Sequence, residues 1–253
     1  AGEPAFGPAG YPHRPSAMAN PILPITHHWL DSTHVTFGVL TMGVHNQRWK
    51  AELSAFHGRE PDESRVDVDL GAFDSVAGRL SYLPTDRLAL QISAARLRDA
   101  YTDFPFPNQD DAVRVTASAT YHLPFGERSI WATTLAYGAN RARELVPGDV
   151  LDATTHAVLL ESSATFSDRH TLFARGEVAG MAAHHLHALE YATSVFPVGK
   201  VQLGYVRHFA PSRGVTPGIG VTASLSVLSP ELAPRYSGRV APGFGLFFSL
   251  QAG

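Results

Sequence analysis

Apolar and polar residues alternate along many short segments of this chain, and turn or loop residues separate those segments. In the segment 112–124, Val113 and Val115 alternate with Arg114 and Thr116. A period of two places successive side chains on opposite faces of a strand, and about ten such residues cross an outer membrane in a β-barrel. The pattern therefore predicts strands with one face toward lipid and the other toward a polar lumen.

The pattern predicts an N-terminal loop followed by strands. Residues 1–32 are rich in proline and histidine, and proline cannot donate to a β-ladder, so this segment is predicted to be a loop. The loop is expected to be extracellular or inserted in the lumen. Residues 33–253 are predicted to hold the transmembrane strands. The eleven predicted strands are 33–45, 48–58, 73–84, 87–98, 112–124, 128–140, 154–166, 169–181, 190–209, 215–228 and 240–251.

The links between these strands alternate in length, as periplasmic turns and extracellular loops do in outer-membrane barrels. The long links are 59–72, 99–111, 141–153, 182–189 and 229–239. The alternation favours eleven strands over the twelve that a break at Pro197 and Gly199 would give. The first strand would then begin on the extracellular side. We therefore expect an odd number of strands upstream, or strands from another chain, unless the short links are not periplasmic.

Composition narrows the class of protein. Hydrophobic residues make up 44% of the chain, yet no run approaches the roughly 18 apolar residues that a transmembrane helix needs. The chain has no cysteine, which excludes disulfides and thiolate chemistry. A net charge of -3 without clustered lysine and arginine argues against nucleic acid as a partner. The first three long links are acidic, which would attract cations, bridge to lipid headgroups through divalent ions, or simply aid solubility.

Several ordered motifs resemble a family of bacterial outer-membrane, porin-like β-barrel proteins whose biochemical role is not established. The motifs are HHWLDSTH at 27–34, GREPDE at 58–63, and the shorter matches at 2–8, 13–14, 74–75 and 79–81. The resemblance covers essentially the whole chain. It implies an antiparallel transmembrane barrel in the bacterial outer membrane, and it implies longer chains with further strands ahead of this region.

Two groups of histidines are candidate metal sites. The first consists of His27, His28, Asp31 and His34. The second, in a predicted extracellular loop, consists of His184, His185 and His187 with Glu190. Imidazoles and carboxylates suit a divalent transition metal such as zinc, copper or nickel, although neither spacing matches a standard motif. The alternatives are hydrogen bonding within an ordered loop for the first group and incidental metal binding for the second.

Polar and charged side chains are predicted on the lumen face. They are Lys50, Glu52, Arg79, Gln91, Arg114, Glu161, Arg175, Glu177, Gln202 and His208. Opposite charges on neighbouring strands commonly pair, so one interpretation is a structural network that fills the barrel. The other is a selectivity lining, in which Arg79, Arg114 and Arg175 form a basic ladder.

These observations favour a porin-like barrel that passes or captures small polar solutes or cations, with a metal as its one candidate cofactor. A structural barrel that conducts nothing and holds another envelope protein is the alternative. An outer-membrane hydrolase is a third, but the chain has no Gly-x-Ser-x-Gly elbow, zinc helix or phosphate-binding loop, so no enzyme is predicted. The expected partners are outer-membrane lipid, small solutes, and further strands or another envelope protein.

Overall fold

A single antiparallel sheet accounts for most of the chain. The computed structural model describes residues 3–32, 36, 38–59, 71–98, 111–146, 149–191 and 193–252. The strands are β1 (Val39–His45), β2 (Trp49–Phe56), β3 (Ser75–Thr85), β4 (Leu88–Leu97), β5 (Ala112–Pro124), β6 (Ile130–Val146), β7 (Asp149–Phe166), β8 (His170–Ala182), β9 (Val195–His208), β10 (Val215–Val227) and β11 (Val240–Ala252). Each strand pairs with the next along the chain, in the order β1 to β11. The predicted all-β fold with eleven antiparallel strands is confirmed.

The helices are short. They are the α-helix α1 (His27–Leu30) and the 3-10 helices Tyr11–His13, Ala183–Leu186, Leu189–Tyr191 and Pro230–Leu232. Among the described residues, no helix has the length and apolar character to cross a membrane.

The strand boundaries differ from the prediction mainly at three places. The long link predicted at 141–153 is wrong, because β6 and β7 stay paired up to Val146 and Asp149. Charged residues suggested a loop there, but a hairpin that extends past the lipid also carries them, as the 3.7 Å pair of Arg141 and Asp152 illustrates. β1 begins at Val39: Thr36 and Gly38 are not in a strand, and residues 33–35 and 37 of the predicted strand lie outside the described part of the chain. β9 begins at Val195 because 3-10 helices precede it. β9 continues through Pro197, so the described residues form eleven strands rather than twelve.

The sheet has a polar face and an apolar face. We call the face against residues 3–32 the inner face and the opposite one the outer face. Exposed aliphatic and aromatic side chains cover the outer face, among them Leu53, Ile92, Leu160, Leu203 and Phe244. Such a surface is stable against lipid and unstable against water. This arrangement matches the predicted strands with one face toward lipid.

The two ends of the sheet also differ. The links after β1, β3, β5, β7 and β9 lie at what we call the turn end, and the other links lie at the loop end. Aromatic pairs of the outer face gather near the turn end, with ring centroids 4.1 Å apart for Trp49 and Tyr82 and 6.0 Å apart for Tyr121 and Trp131. Aromatic rings at this level are typical of the membrane–water interface of a barrel.

Residues 3–32 form what we call the N-terminal segment. The main apolar core lies between this segment and the inner face. Phe6 packs against Phe56 and Leu97, while Trp29 and Leu30 pack over small residues of β6, β7 and β8. Burial of side chains of this size contributes roughly 1.5–3 kcal/mol each. The alanine-rich inner positions of these strands therefore accommodate the segment.

The sheet has two unpaired edges. Within the described ranges, β1 pairs with β2 alone and β11 pairs with β10 alone. Both edge strands run from the loop end to the turn end, so direct pairing between them would be parallel. Antiparallel closure of this sheet needs an odd number of further strands. An open edge in lipid would leave backbone groups without hydrogen bonds, at several kcal/mol each.

Candidate functional site

The charged residues predicted to face the lumen lie on the inner face, where the N-terminal segment covers them. Five of them are fully covered and form the candidate lining of the lumen: Arg79, Arg114, Glu161, Arg175 and Glu177. Each of the three arginines has hydrogen-bond acceptors within the protein.

Glu161 is the centre of the largest group of contacts. Its carboxylate accepts two hydrogen bonds from Arg14 of the N-terminal segment, one from Nη2 at 2.8 Å and one from Nε. Arg175 donates to the same carboxylate from Nε at 3.0 Å, and the Ser16 hydroxyl donates at 2.8 Å. One buried carboxylate thus accepts hydrogen bonds from two guanidinium groups, one from the sheet and one from the segment.

Arg79 forms a second anchor near the start of the described chain. Its Nε donates to Glu52 at 3.0 Å, and its Nη1 donates to Glu3 at 2.8 Å. Lys50 pairs with the other oxygen of Glu52 at 2.7 Å. Glu3, Arg79, Glu52 and Lys50 therefore form a chain of alternating charges across the inner face.

Further hydrogen bonds hold the segment along the rest of its length. Glu177 accepts from the backbone N–H and the hydroxyl of Thr26, at 3.2 and 2.9 Å. Arg114 donates from Nη1 to the carbonyls of Asp31, at 2.9 Å, and Ser32. Two more bonds join Trp29 to Thr155 and Asn20 to Gln202. The segment is therefore bonded to most of the width of the sheet.

The structure brings the two histidine groups together. The rings of His27 and His28 lie 4.1 Å apart, and the rings of His28 and His185 stack at 6.0 Å. His34 and the side chain of His184 fall outside the described part of the chain. Among the residues that are described, no three histidines or carboxylates are arranged to hold a metal ion. The metal site stays a prediction.

Other members of these groups have protein partners. The carboxylate of Asp31 accepts the backbone N–H of Ser32 at 2.8 Å. Glu190 binds Arg235 at 2.7 Å, and Arg235 also donates to the carbonyl of His187 at 2.6 Å. The backbone N–H of Glu190 and the Arg235 guanidinium lower the pKa of the Glu190 carboxyl. The two contacts of Arg235 join the loops that follow β8 and β10.

A cavity of about 560 Å³ lies beside the N-terminal segment, toward the turn end of β1 to β5. His45, Lys50 and His122 line it together with Gln91 and Thr120. The grouping of histidines in the sequence did not point to His45 or His122, although both occupy inner-face positions of the alternating pattern. Their position next to the short links was the available indication that they end in a common space.

No family model matches the sequence, and no curated protein matches it. Solved structures do resemble the fold. The outer membrane channel DcaP of Acinetobacter baumannii superposes with a TM-score of 0.53 at 7% sequence identity, over 85% of this chain and 62% of that chain. The anion-selective porin from Comamonas acidovorans gives a TM-score of 0.46 at 14% identity, over 85% of this chain and 57% of that chain.

The likeness to the Acinetobacter channel is one of fold. The chain spans 62% of that channel's length, so it corresponds to part of a barrel of that kind. The predicted transmembrane β-barrel fold and the predicted outer-membrane location agree with this comparison and with the apolar outer face. Membership in the family suggested by the sequence motifs stays a prediction.

Proposed function

We propose that this chain forms part of an outer-membrane channel for small polar solutes, in which residues 3–32 narrow the lumen. The observation that carries the proposal is the fastening of this segment to the polar inner face through the buried pairs of Arg14, Glu161 and Arg175. The segment packs across the inner face and leaves the cavity toward the turn end of β1 to β5 open beside it. No enzymatic step is part of this proposal.

The solute class rests on the lining of that cavity. Imidazole, ammonium, amide and hydroxyl groups line part of it and offer hydrogen bonds to polar solutes, while apolar side chains such as Leu83 and Leu90 form the rest of its wall. Cation capture would depend on the acidic loops. Of the acidic residues predicted in those loops, Asp111 and Asp152 are paired with arginines, and Asp152 lies in β7. Residues 60–70 and 99–110 lie outside the described ranges.

A non-conducting barrel is the second candidate. The observation in its favour is the depth of the packing over β6 to β8, where Tyr11, Trp29 and Leu30 are buried against the inner face. If the strands that complete the barrel pack as closely against the segment, no continuous path is left.

Single-channel recording in planar bilayers tests the proposal. We expect discrete current steps from the full-length folded protein, and larger or noisier steps from Arg14→Gln, which loosens the segment. The matched control is Arg128→Gln, whose partner Asp168 lies 3.7 Å away in an exposed pair; its currents should equal those of the wild type. The reversal potential in a salt gradient measures the preference for cations or anions. The absence of current from folded protein would favour the structural barrel.

A further inference from the structure

A polar cluster interrupts the apolar outer face near the turn end of β8 and β9. It consists of His170, Tyr205 and Arg207. His170 lies opposite Arg207 in the register of the two strands, and Leu172 lies opposite Tyr205. The neighbouring Thr171 and Val206 are buried on the inner face, which places the cluster on the outer face. The proposed channel does not use these residues.

The hydrogen bonds of the cluster fix its donors. Arg207 donates from Nη1 to Nε2 of His170, and Nδ1 of His170 lies 2.6 Å from the Tyr205 hydroxyl oxygen. A guanidinium has only donors, so Nε2 must accept and Nδ1 must carry the ring proton. Nδ1 then donates to the Tyr205 oxygen. The Tyr205 hydroxyl proton and the remaining guanidinium N–H groups are left to bind an external acceptor.

Arg207 differs in its partners from two other outer-face arginines. Near the loop end, Arg96 pairs with Asp111 at 2.8 Å and Arg141 pairs with Asp152 at 3.7 Å. Among the residues that the structure describes, the cluster gives Arg207 a neutral imidazole and no carboxylate. A cation on a lipid-facing surface is costly unless an anion pairs with it.

The depth of the cluster indicates which anion is available. Leu172 and Leu203 are exposed on its side toward the middle of the sheet, and Phe166 and Phe209 are exposed on its side toward the turns. The cluster thus lies between the aliphatic band and the last aromatic rings before the turns, at the level of the membrane–water interface. Lipid phosphates occupy this level of a bilayer, and guanidinium binds phosphate oxygens through paired N–H groups.

We propose that His170, Tyr205 and Arg207 form a binding site for the headgroup phosphate of an anionic phospholipid in the leaflet at the turn end. Arg207 supplies the charge and two donors, Tyr205 supplies a hydroxyl donor, and His170 orients both. This site depends on the membrane-spanning sheet and not on whether the barrel conducts.

The test measures binding of phosphatidylglycerol to the full-length protein in detergent micelles by native mass spectrometry. Hydrogen bonds from a charged donor are stronger than those between neutral groups, so we expect Arg207→Gln to weaken binding by about tenfold or more. Tyr205→Phe should weaken it less. Arg207→Lys keeps the charge but loses the planar donor pair, so its affinity should lie between those of the wild type and Arg207→Gln.

Two controls separate this site from general charge attraction. Arg213→Gln removes an arginine from a turn at the same end, and Arg96→Gln removes an outer-face arginine that has a carboxylate partner. Both variants should bind phosphatidylglycerol as the wild type does. Equal binding by wild type and by the folded Arg207 and Tyr205 variants would overturn the proposal, and so would an equal loss in Arg213→Gln. Competition by inorganic phosphate at the same concentration as the lipid would show a free-phosphate site instead.

Discussion

Glu161 is the residue on which the attachment of the N-terminal segment depends most directly. Its replacement by glutamine keeps the shape but leaves the guanidinium groups of Arg14 and Arg175 buried without their countercharge. Removal of one partner from such a group costs about 3–5 kcal/mol. We expect Glu161→Gln to lower the free energy of unfolding by that order, measured by urea denaturation of protein folded in vesicles.

The control for this change is Asp168→Asn. Asp168 forms an exposed pair with Arg128 at 3.7 Å, with side chains 62% and 80% exposed. Exposed pairs contribute about 0–1 kcal/mol, so the unfolding midpoint should hardly move. A loss in Asp168→Asn as large as that in Glu161→Gln would contradict the structural importance of the buried group.

The packing of the inner face depends on the absence of a side chain at Gly204. It lies opposite Phe173 on the inner face, and a Cβ at this position would lie 2.0 Å from the Phe173 ring. We expect Gly204→Ala to destabilise the protein by about 1–3 kcal/mol, as overpacking does. Phe173→Leu in the same chain should recover part of that loss. Gly176→Ala is the control, because nothing lies within 4 Å of the added carbon; equal effects of the two alanines would contradict this packing.

At the scale of elements, α1 depends on a glycine of β6. A Cβ on Gly138 would lie 2.6 Å from the carbonyl oxygen of Trp29 and would push α1 off the sheet. In a background with Trp49→Phe and Trp131→Phe, Trp29 is the one tryptophan left, since the chain has three. Gly138→Ala should then shift its emission to the red and increase its quenching by iodide. Unchanged quenching, with Gly176→Ala as the reference, would show that α1 does not rest on β6.

The strands were predictable from the sequence, and the contacts of the N-terminal segment were not. A period of two follows from strand geometry, so the alternation around Val113 gives both the strand and the face of each residue. The alternation does not show, however, which residues of the N-terminal segment contact which residues of the sheet. Arg14 and Glu161 are separated by 147 positions, and His28 meets His185 only because the segment crosses the inner face. The link predicted at 141–153 was wrong because charged residues occur both in loops and in hairpins that extend beyond the lipid.

At the scale of the whole molecule, the unpaired edges decide how the barrel closes. Because β1 and β11 run in the same direction, antiparallel closure requires an odd number of strands between them. One intervening strand already separates the two edges by about 9–10 Å, since neighbouring strands lie about 4.8 Å apart. Cysteines with Cα atoms more than 7 Å apart do not form a disulfide.

This separation is measurable because the chain has no cysteine of its own. Met42→Cys combined with Leu53→Cys should oxidise readily, because these outer-face residues are register partners in β1 and β2. Met42→Cys combined in turn with cysteine at Phe244, Leu246 or Phe248 of β11 should not, in the protein folded in vesicles. The three positions are successive outer-face residues of β11, so they sample three registers of a direct contact. A disulfide within one chain from any of these three pairs would mean that β1 and β11 adjoin in parallel, and the requirement for further strands would be wrong.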